Sequence, residues 1–227
     1  MTAEPLKTLV YFRVSEFRHP SIEGAVAALA ALARERGFRQ VATDQLEVFS
    51  AELASASVVV FLLTTGEILD DSARSRLQRF VEDGGGFVGV HSATTTEPGW
   101  PWYEDLVGAY FKGHPEGTPE GVIDVIDPTH PATRHLPLKW RCREEWYSFQ
   151  RQPDVVPGTH VLLTVDEQSY DAPSELRMGV HPIAWCREVG RGRAFQTALG
   201  HAAETYRDPA FLAHLAGAIE WAAKRAS

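Results

Sequence analysis

The stretch EDGGGFVGVHSATTTEPGW, residues 82–100, decides the fold class of this chain. Its three glycines suit a tight turn between a helix and a strand, and FVGV is an apolar run typical of a buried strand. His91 and Ser92 come directly after that run. In an open α/β sheet, the loops that leave the carboxyl ends of parallel strands form the ligand crevice. The stretch therefore predicts a strand that delivers an imidazole and a hydroxyl into such a crevice, with Gly89 allowing close backbone approach beside His91.

Upstream of this stretch, strand-like and helix-like patterns alternate. Apolar, β-branched runs typical of buried strands occupy residues 7–14, 39–44 and 56–65. Between the first two runs, apolar residues recur at helical spacing, with Ser21 as a candidate N-cap and Gly37 as the stop. A second helix starts at the acidic pair Asp70-Asp71 and ends at the three glycines. Such alternation predicts a doubly wound, mostly parallel sheet with helices on both faces.

Downstream of residue 100 the alternation stops. Residues 101–120 are aromatic and rich in Gly and Pro, which predicts a loop. Four strand-like runs follow with little helix between them, at residues 121–127, 140–149, 160–166 and 181–200, the last folded into a hairpin at residues 190–192. A final helix starts at Asp208 and Pro209. We expect one domain over residues 1–227, with an antiparallel extension of the parallel sheet.

Composition excludes several classes of partner. The 227-residue chain carries a formal net charge of -8 without a basic stripe, so nucleic acid and anionic membranes would be repelled. It has no apolar run long enough to cross a bilayer and no secretory signal pattern, which predicts a cytoplasmic protein. Cys142 and Cys186 lack metal-site spacing and are expected to be reduced thiols. The net charge and composition therefore favour a small-molecule ligand. The aromatic stretch at residues 98–106 suits either a lid or a contact in a homo-oligomer.

Further polar side chains follow the other predicted strands. His19 comes after the first strand, Thr64 and Thr65 end the third, and His201 follows the last. Because carboxyl ends of parallel strands share one edge of the sheet, we expect these groups to converge with His91 on one rim.

Several long motifs extend this interpretation. They are GGGFVGVHSATTT, GAYFKGHP, DPTHPATRHLP, EEWYSF and HPIAWCREVGRGRAFQTALGH. Together they resemble the ThuA-like trehalose-utilisation family, from roughly the first strand to the last helix. That family is similar in fold to the class I glutamine amidotransferases, which implies a flavodoxin-like three-layer sandwich. In an amidotransferase the turn GVHSA would carry a nucleophilic cysteine. Because His91 stands there instead, glutamine hydrolysis is excluded, although His201 and Glu204 resemble the late triad partners.

The resemblance also implies a substrate class. The family is associated with trehalose utilisation and oxidised (3-keto) sugars, which implies a keto-sugar or related glycoside. Chemistry on such a compound removes a proton beside a carbonyl and stabilises an enediolate, which requires a base and an electrophile. We predict that His91, His201 and Glu145 are catalytic. The predicted substrate-binding residues are His19, Ser92, Trp146, Tyr147 and His114. The histidines could act as acid and base, or His19, His91 and His201 could instead hold a divalent metal such as zinc, and no His-x-His or HExxH spacing decides between these roles.

Some of these residues also have plainer explanations. On an alternating strand only one of Glu144 and Glu145 can face the crevice, and we assign that role to Glu145 and a solvent-facing role to Glu144. His130 and His135 are expected to organise a proline turn rather than contact ligand. His181 could join the rim if its strand is antiparallel.

Two rival functions stay open at this point. The chain could be a non-catalytic carbohydrate-binding or partner-binding module on an amidotransferase-like scaffold, although such a module needs no cluster of titratable groups. It could also be a hydrolase with Ser92 as nucleophile. GVHSA lacks the G-x-S-x-G arrangement of a nucleophile elbow, so the hydrolase ranks last.

Overall fold

A mixed sheet of nine strands organises the molecule, seen in a computed structural model that describes residues 5–225. In chain order the strands are β1 Lys7–Tyr11, β2 Arg39–Thr43, β3 Val58–Leu62, β4 Gly86–Val90, β5 Phe111–Gly113, β6 Glu120–Val125, β7 Lys139–Arg143, β8 Ser148–Phe149, β9 His160–Asp166, β10 Pro182–Val189 and β11 Gly192–Thr197. The helices are α1 Ile22–Arg36, α2 Leu46–Glu52, α3 Asp71–Glu82, α4 Pro101–Val107 and α5 Pro209–Ala222.

The sheet has a parallel half and an antiparallel half. The strand order is β2-β1-β3-β4-β11-β10-β9-β6-β7, while β5 and β8 pair separately. The first five strands are mutually parallel, and each pairing from β11 to β7 is antiparallel. In register, Leu62 pairs with Val90 and Val90 with Thr197, so β3, β4 and β11 end level. The predicted parallel sheet with an antiparallel extension is confirmed.

Both faces of the parallel half are covered, as its strands require. Val10 and Val60 pack in one apolar cluster with residues of α1 and α5. Tyr11 and Phe61 point to the opposite face and pack with α2, α3 and α4. Since successive side chains of a strand alternate between faces, a sheet buried on both sides needs apolar residues at every position. The result is the three-layer, flavodoxin-like α/β arrangement.

Helix ends follow their sequence signals with one exception. Asp70 and Asp208 cap α3 and α5 by accepting from the Ala73 and Ala210 amides, and Gly37 ends α1 in the left-handed conformation with φ 70°. Ser21 precedes α1 as predicted, but its side chain makes no capping hydrogen bond. Its hydroxyl donates instead to the His201 carbonyl at 2.6 Å, which ties α1 to the loop after β11.

Two segments differ from the sequence prediction. Residues 101–107 form α4 rather than a loop, with a proline in the first turn, where its missing N–H costs nothing. The predicted strand at 140–149 is interrupted between Arg143 and Ser148. That interruption carries the glutamate pair of the candidate site. Within residues 5–225, no helix has both the length and the apolar character needed to span a bilayer.

Candidate active site

Four side chains from four distant loops meet at the carboxyl edge of the parallel half. They are His19 after β1, His91 after β4, Glu145 after β7 and His201 after β11. One nitrogen or oxygen atom from each lies within 4.8 Å of all the others. The imidazole centroids of His19 and His91 are 4.9 Å apart, and those of His91 and His201 are 5.4 Å apart. The sheet topology therefore brings together histidines that are up to 182 positions apart in the numbering of the chain.

His91 occupies a strained backbone position at the end of β4. Its φ is 54°, a left-handed value that few residues other than glycine adopt, and such strain is concentrated at functional sites. The backbone beside it is close-packed, because a Cβ at Gly89 would lie 1.9 Å from the side-chain oxygen of Gln196. Gln196 in turn donates to the His91 carbonyl. The turn therefore presents the imidazole in one direction only.

The tautomer of His91 follows from its hydrogen bonds. Nδ1 lies 2.7 Å from the carbonyl oxygen of Ala198, which can only accept, so Nδ1 carries the proton. The other nitrogen, Nε2, then has a free lone pair and lies 3.4 Å from Glu145 Oε2. An imidazole fixed by a backbone carbonyl in this way is the usual arrangement of a metal-ligating histidine.

Three imidazole nitrogens in the cluster are buried without a hydrogen-bond partner. They are His19 Nδ1, His91 Nε2 and His201 Nδ1. Two of them still face the carboxylate of Glu145: His201 Nδ1 lies 3.0 Å and His91 Nε2 lies 3.4 Å from its Oε2, within the distance of an ion pair. Because an unsatisfied buried polar group is costly, a concentration of them indicates a missing binding partner. Three nitrogens and one carboxylate oxygen suit a divalent transition metal such as zinc, so this cluster could hold one.

The protonation states of His19 and Glu145 are compatible with cation binding, and a cation would have to displace any proton on His201. Burial, reinforced by neighbouring His91 and His201, lowers the pKa of His19 to about 3. Burial acts to raise the pKa of Glu145, yet the facing His201 and His91 lower it overall to well below its usual value. Contact with Glu145 raises the pKa of His201. At neutral pH His19 is therefore an uncharged imidazole that can ligate a metal, and Glu145 is a carboxylate.

A cavity of about 470 Å³ opens beside the cluster, lined by His19 and Glu145, while His91 and His201 lie behind this lining. Its aromatic lining comes from Phe17, Tyr110, Phe111 and Tyr147, and its polar lining includes His19, Thr65, Ser92, His114, Glu145 and Gln150. Tyr147 lies on His91 with ring centroids 4.2 Å apart. The Ser92 hydroxyl is buried without a partner, so no base activates it as the nucleophile that a serine hydrolase would require. Apolar walls with a few converging polar groups are typical of a small-molecule site.

The two glutamates of the interrupted strand both point inward. The prediction that Glu144 faces solvent is wrong, since it is only 1% exposed. Its carboxylate accepts from the amides of Gly200 and His201. Trp146 also departs from the prediction that it lines the sugar pocket. It is 1% exposed, packs on Tyr170 and donates its indole N–H to the Pro119 carbonyl, outside the cavity lining. Strand alternation fails here because the ladder breaks before Glu144.

The comparisons with known proteins agree with this architecture. The model of the ThuA family, described as trehalose utilisation, matches residues 7–222. This chain belongs to the ThuA family. Membership suggests a role in trehalose utilisation and a carbohydrate ligand. No curated protein sequence matches the chain.

Solved structures share the ThuA-family fold. A ThuA-like protein from Bacteroides uniformis is 23% identical, with a TM-score of 0.82 over 98% of this chain and 93% of that chain. A ThuA-like protein from Parabacteroides merdae is 21% identical, with a TM-score of 0.77 over 98% and 91%. A β-galactosidase from Bacillus circulans is 15% identical, with a TM-score of 0.62 over 95% of this chain but 31% of its own. At these identities the structures establish the fold alone.

The other histidines of this ThuA-family chain have hydrogen-bond partners away from the cluster. His130, which is buried, accepts from the Ala132 amide and organises the proline turn as expected. His135 is exposed and donates to the Ala210 carbonyl at the start of α5, so it contacts neither the cavity nor the turn. His181 lies outside the cavity lining, contacts Glu167 Oε1 at 2.8 Å and donates to the Tyr147 carbonyl. His214 bonds to Ala132 and Thr197. Burial does not distinguish these histidines from those of the cluster. Their hydrogen-bond partners do, because these rings bond to groups away from Glu145.

Sequence reasoning missed three aromatic residues of the cavity, besides several polar ones. Phe17, Tyr110 and Phe111 line the cavity, and the last two lie in the motif GAYFKGHP. That motif was a usable signal, but its aromatic residues fit a packed core equally well. A larger hollow of about 630 Å³ lies among residues that precede β3 and β4, including Ser57 and Gly84. It is at the amino edge of the parallel strands, away from the histidines, and we do not assign chemistry to it.

Proposed function

We propose that this chain is a carbohydrate-processing enzyme that moves a proton beside the carbonyl of a keto-sugar, with a divalent metal at the histidine cluster. The convergence of three imidazoles on one carboxylate, with one ligand atom from each residue within 4.8 Å of all the others, supports this proposal. A non-catalytic scaffold would have no reason to gather so many titratable groups in one cluster. The proposed substrate is a 3-keto-glycoside, in keeping with the carbohydrate ligand that family membership suggests.

In the proposed site His19, His91 and His201 supply three nitrogen ligands, the number that catalytic zinc sites typically take from protein. A bound divalent ion would polarise the ketone oxygen of the sugar and so favour loss of a proton from the adjacent carbon. The Ala198 carbonyl keeps His91 in the tautomer that such binding requires. Tyr147 and Phe111, whose rings lie 4.3 Å apart, would cover one side of the sugar and exclude water.

Glu145 is the proposed proton acceptor. Its two carboxylate oxygens face different groups: Oε2 faces His91 and His201, and Oε1 lies 3.6 Å from His114 Nε2. His114 Nδ1 lies 2.8 Å from the Pro115 carbonyl and therefore carries the ring proton, which leaves Nε2 able to accept. Glu145 would take the proton from the sugar carbon, and His114, being partly exposed, would exchange it with solvent.

Deuterium exchange tests the proposed chemistry directly. Wild-type protein is stripped with EDTA, reloaded with zinc, and mixed with a 3-keto-disaccharide in D₂O. We expect NMR to show incorporation of deuterium at carbons next to the ketone only in the reloaded sample. Alanine substitution of His135, an exposed histidine outside the cluster, should leave that rate unchanged. A protein that binds the sugar without any exchange would contradict the enzyme and favour the binding module.

A further inference from the structure

The buried carboxylate of Glu144 joins the two loops that carry His201 and Glu145. Gly200 N–H donates to Oε2 at 2.7 Å, and His201 N–H donates to Oε1 at 3.1 Å. The amide of Glu145 donates to Oε1 at 3.0 Å. One side chain thus accepts from the backbone of two residues of the proposed site, which are 56 positions apart in the numbering.

The carbonyl group of His201 is also fixed by a hydrogen bond. Its carbonyl accepts from the Ser21 hydroxyl at 2.6 Å, and Ser21 is 2% exposed. The peptide groups on both sides of His201 are therefore fixed, although its imidazole nitrogen Nδ1 has no hydrogen-bond partner. The ring of His201 faces Glu145, whose Oε2 lies 3.0 Å from Nδ1, and this contact depends on the backbone positions of both residues. For His91, in contrast, the Ala198 carbonyl orients the ring directly.

From these contacts we infer that Glu144 is a positioning residue, which fixes the backbone of His201 and Glu145 so that their reactive atoms face each other. The inference rests on the proposed function for its consequence, which is tight metal binding. A buried carboxylate that accepts three backbone hydrogen bonds could not be replaced by an amide without loss, because the amide nitrogen cannot accept. Residues that orient metal ligands in this manner typically change affinity about 10–100-fold when mutated.

Zinc affinity tests this inference, measured by competition with a chromophoric chelator. Glu144→Gln should raise the zinc Kd about 10–100-fold. Glu204→Gln is the matched control, because Glu204 is an exposed glutamate in the same loop as His201, and its Kd should stay within about twofold. In a His201→Ala background, Glu144→Gln should add little further effect, because the ligand that it positions is gone. An unchanged Kd in Glu144→Gln, or equal effects in both backgrounds, would overturn the inference.

Hydrogen–deuterium exchange of the metal-free protein provides a readout that does not depend on the metal site. In Glu144→Gln, peptides that cover residues 198–204 should exchange at least about tenfold faster, with the rest of the molecule unchanged. Ser21→Ala, which releases the other side of His201, should speed exchange in the same segment. Uniform loss of protection across the chain, or no change in this segment, would overturn the positioning role. Wild-type protein that binds no zinc would refute the proposed metal site, and local exchange would still decide the role of Glu144.

Discussion

The two halves of the nine-stranded sheet bring different groups to the same site. Loops of the parallel half carry His19, His91 and His201, while the antiparallel half contributes Glu145 and Tyr147. Parallel strands place their carboxyl ends on one edge, so their loops meet regardless of separation along the chain. The antiparallel half has no such common edge, and its contribution depends on one interruption between β7 and β8. Topology places the imidazoles, and a local break in a strand places the carboxylate.

The hydrogen bonds that hold the site residues in place also differ between the two halves. The ring of His91 is oriented by a carbonyl just after β11, a strand of the parallel half. Tyr147 is held from within the antiparallel half, where its carbonyl accepts from His181. Glu144 is the exception that connects the halves, because it bonds to the amides of both Glu145 and His201. Four experiments would break or sharpen this contrast.

The largest effect is expected from the parallel half. His91→Asn should lower the rate of deuterium exchange into a 3-keto-disaccharide by about 10²–10⁴-fold, because it removes a proposed metal ligand. Asparagine is preferred to alanine, since His91 is fully buried and alanine would also leave a cavity. A variant with a normal thermal midpoint and normal exchange rate would remove His91 from the mechanism.

A partnered histidine of the parallel half should matter for stability instead. Burial lowers the pKa of His214 to about 4, against about 6.5 in an unfolded chain. Above pH 6.5 the ring is neutral in both states, and between pH 6.5 and 4 only the unfolded chain takes up the proton. The free energy of unfolding should therefore fall by about 3 kcal/mol from this group as pH drops across that window.

The difference between wild type and His214→Gln isolates this contribution. Urea unfolding in EDTA at several pH values should give a shallower pH dependence for the variant, with deuterium exchange into the keto-sugar retained at neutral pH. Identical pH dependence in the two proteins would show that His214 does not titrate as its burial requires.

In the antiparallel half, Glu145→Gln separates proton transfer from metal binding. An amide cannot act as the base, so the exchange rate should fall about 10²-fold. The zinc Kd should change less than tenfold, since three histidines remain as ligands. The pairing of a rate assay with a zinc titration decides between these roles: a Kd that rises more than the rate falls would reassign Glu145 as a metal ligand.

The smallest effects should distinguish the adjacent aromatic residues. Trp146→Phe loses the hydrogen bond to Pro119 and leaves a small cavity, so it should cost about 1–3 kcal/mol of unfolding free energy, with activity unchanged. Tyr147→Leu removes the ring that lies on His91 and should raise KM several-fold. Steady-state kinetics and thermal melts on both variants would test this division. Equal KM values would place Tyr147, like Trp146, outside the site.

Particular residues show how far sequence reasoning extends. His91 and His201 could be placed on one rim because each directly follows an apolar run, and the rule for parallel strands then supplies their proximity. Glu144 was misplaced because strict alternation was assumed across 140–149, where the ladder stops at Arg143. Trp146 was misplaced because it was assigned to the pocket as an aromatic neighbour of Glu145, although alternation would have turned it to the other face. The residues give only a weak signal of the break: Glu is depleted in strands, but the aromatic residues that follow Glu145 favour one.

The sequence by itself determined the layered α/β architecture, the family and the three histidines, because hydrophobic periodicity and residues that follow strands are local properties of the chain. Only the tertiary structure decided which buried histidines lack partners, that both glutamates turn inward, and that Ser21 holds His201 rather than capping a helix. These outcomes depend on contacts between segments as many as 180 positions apart, and the balance of burial and hydrogen bonding there is set only when the segments meet.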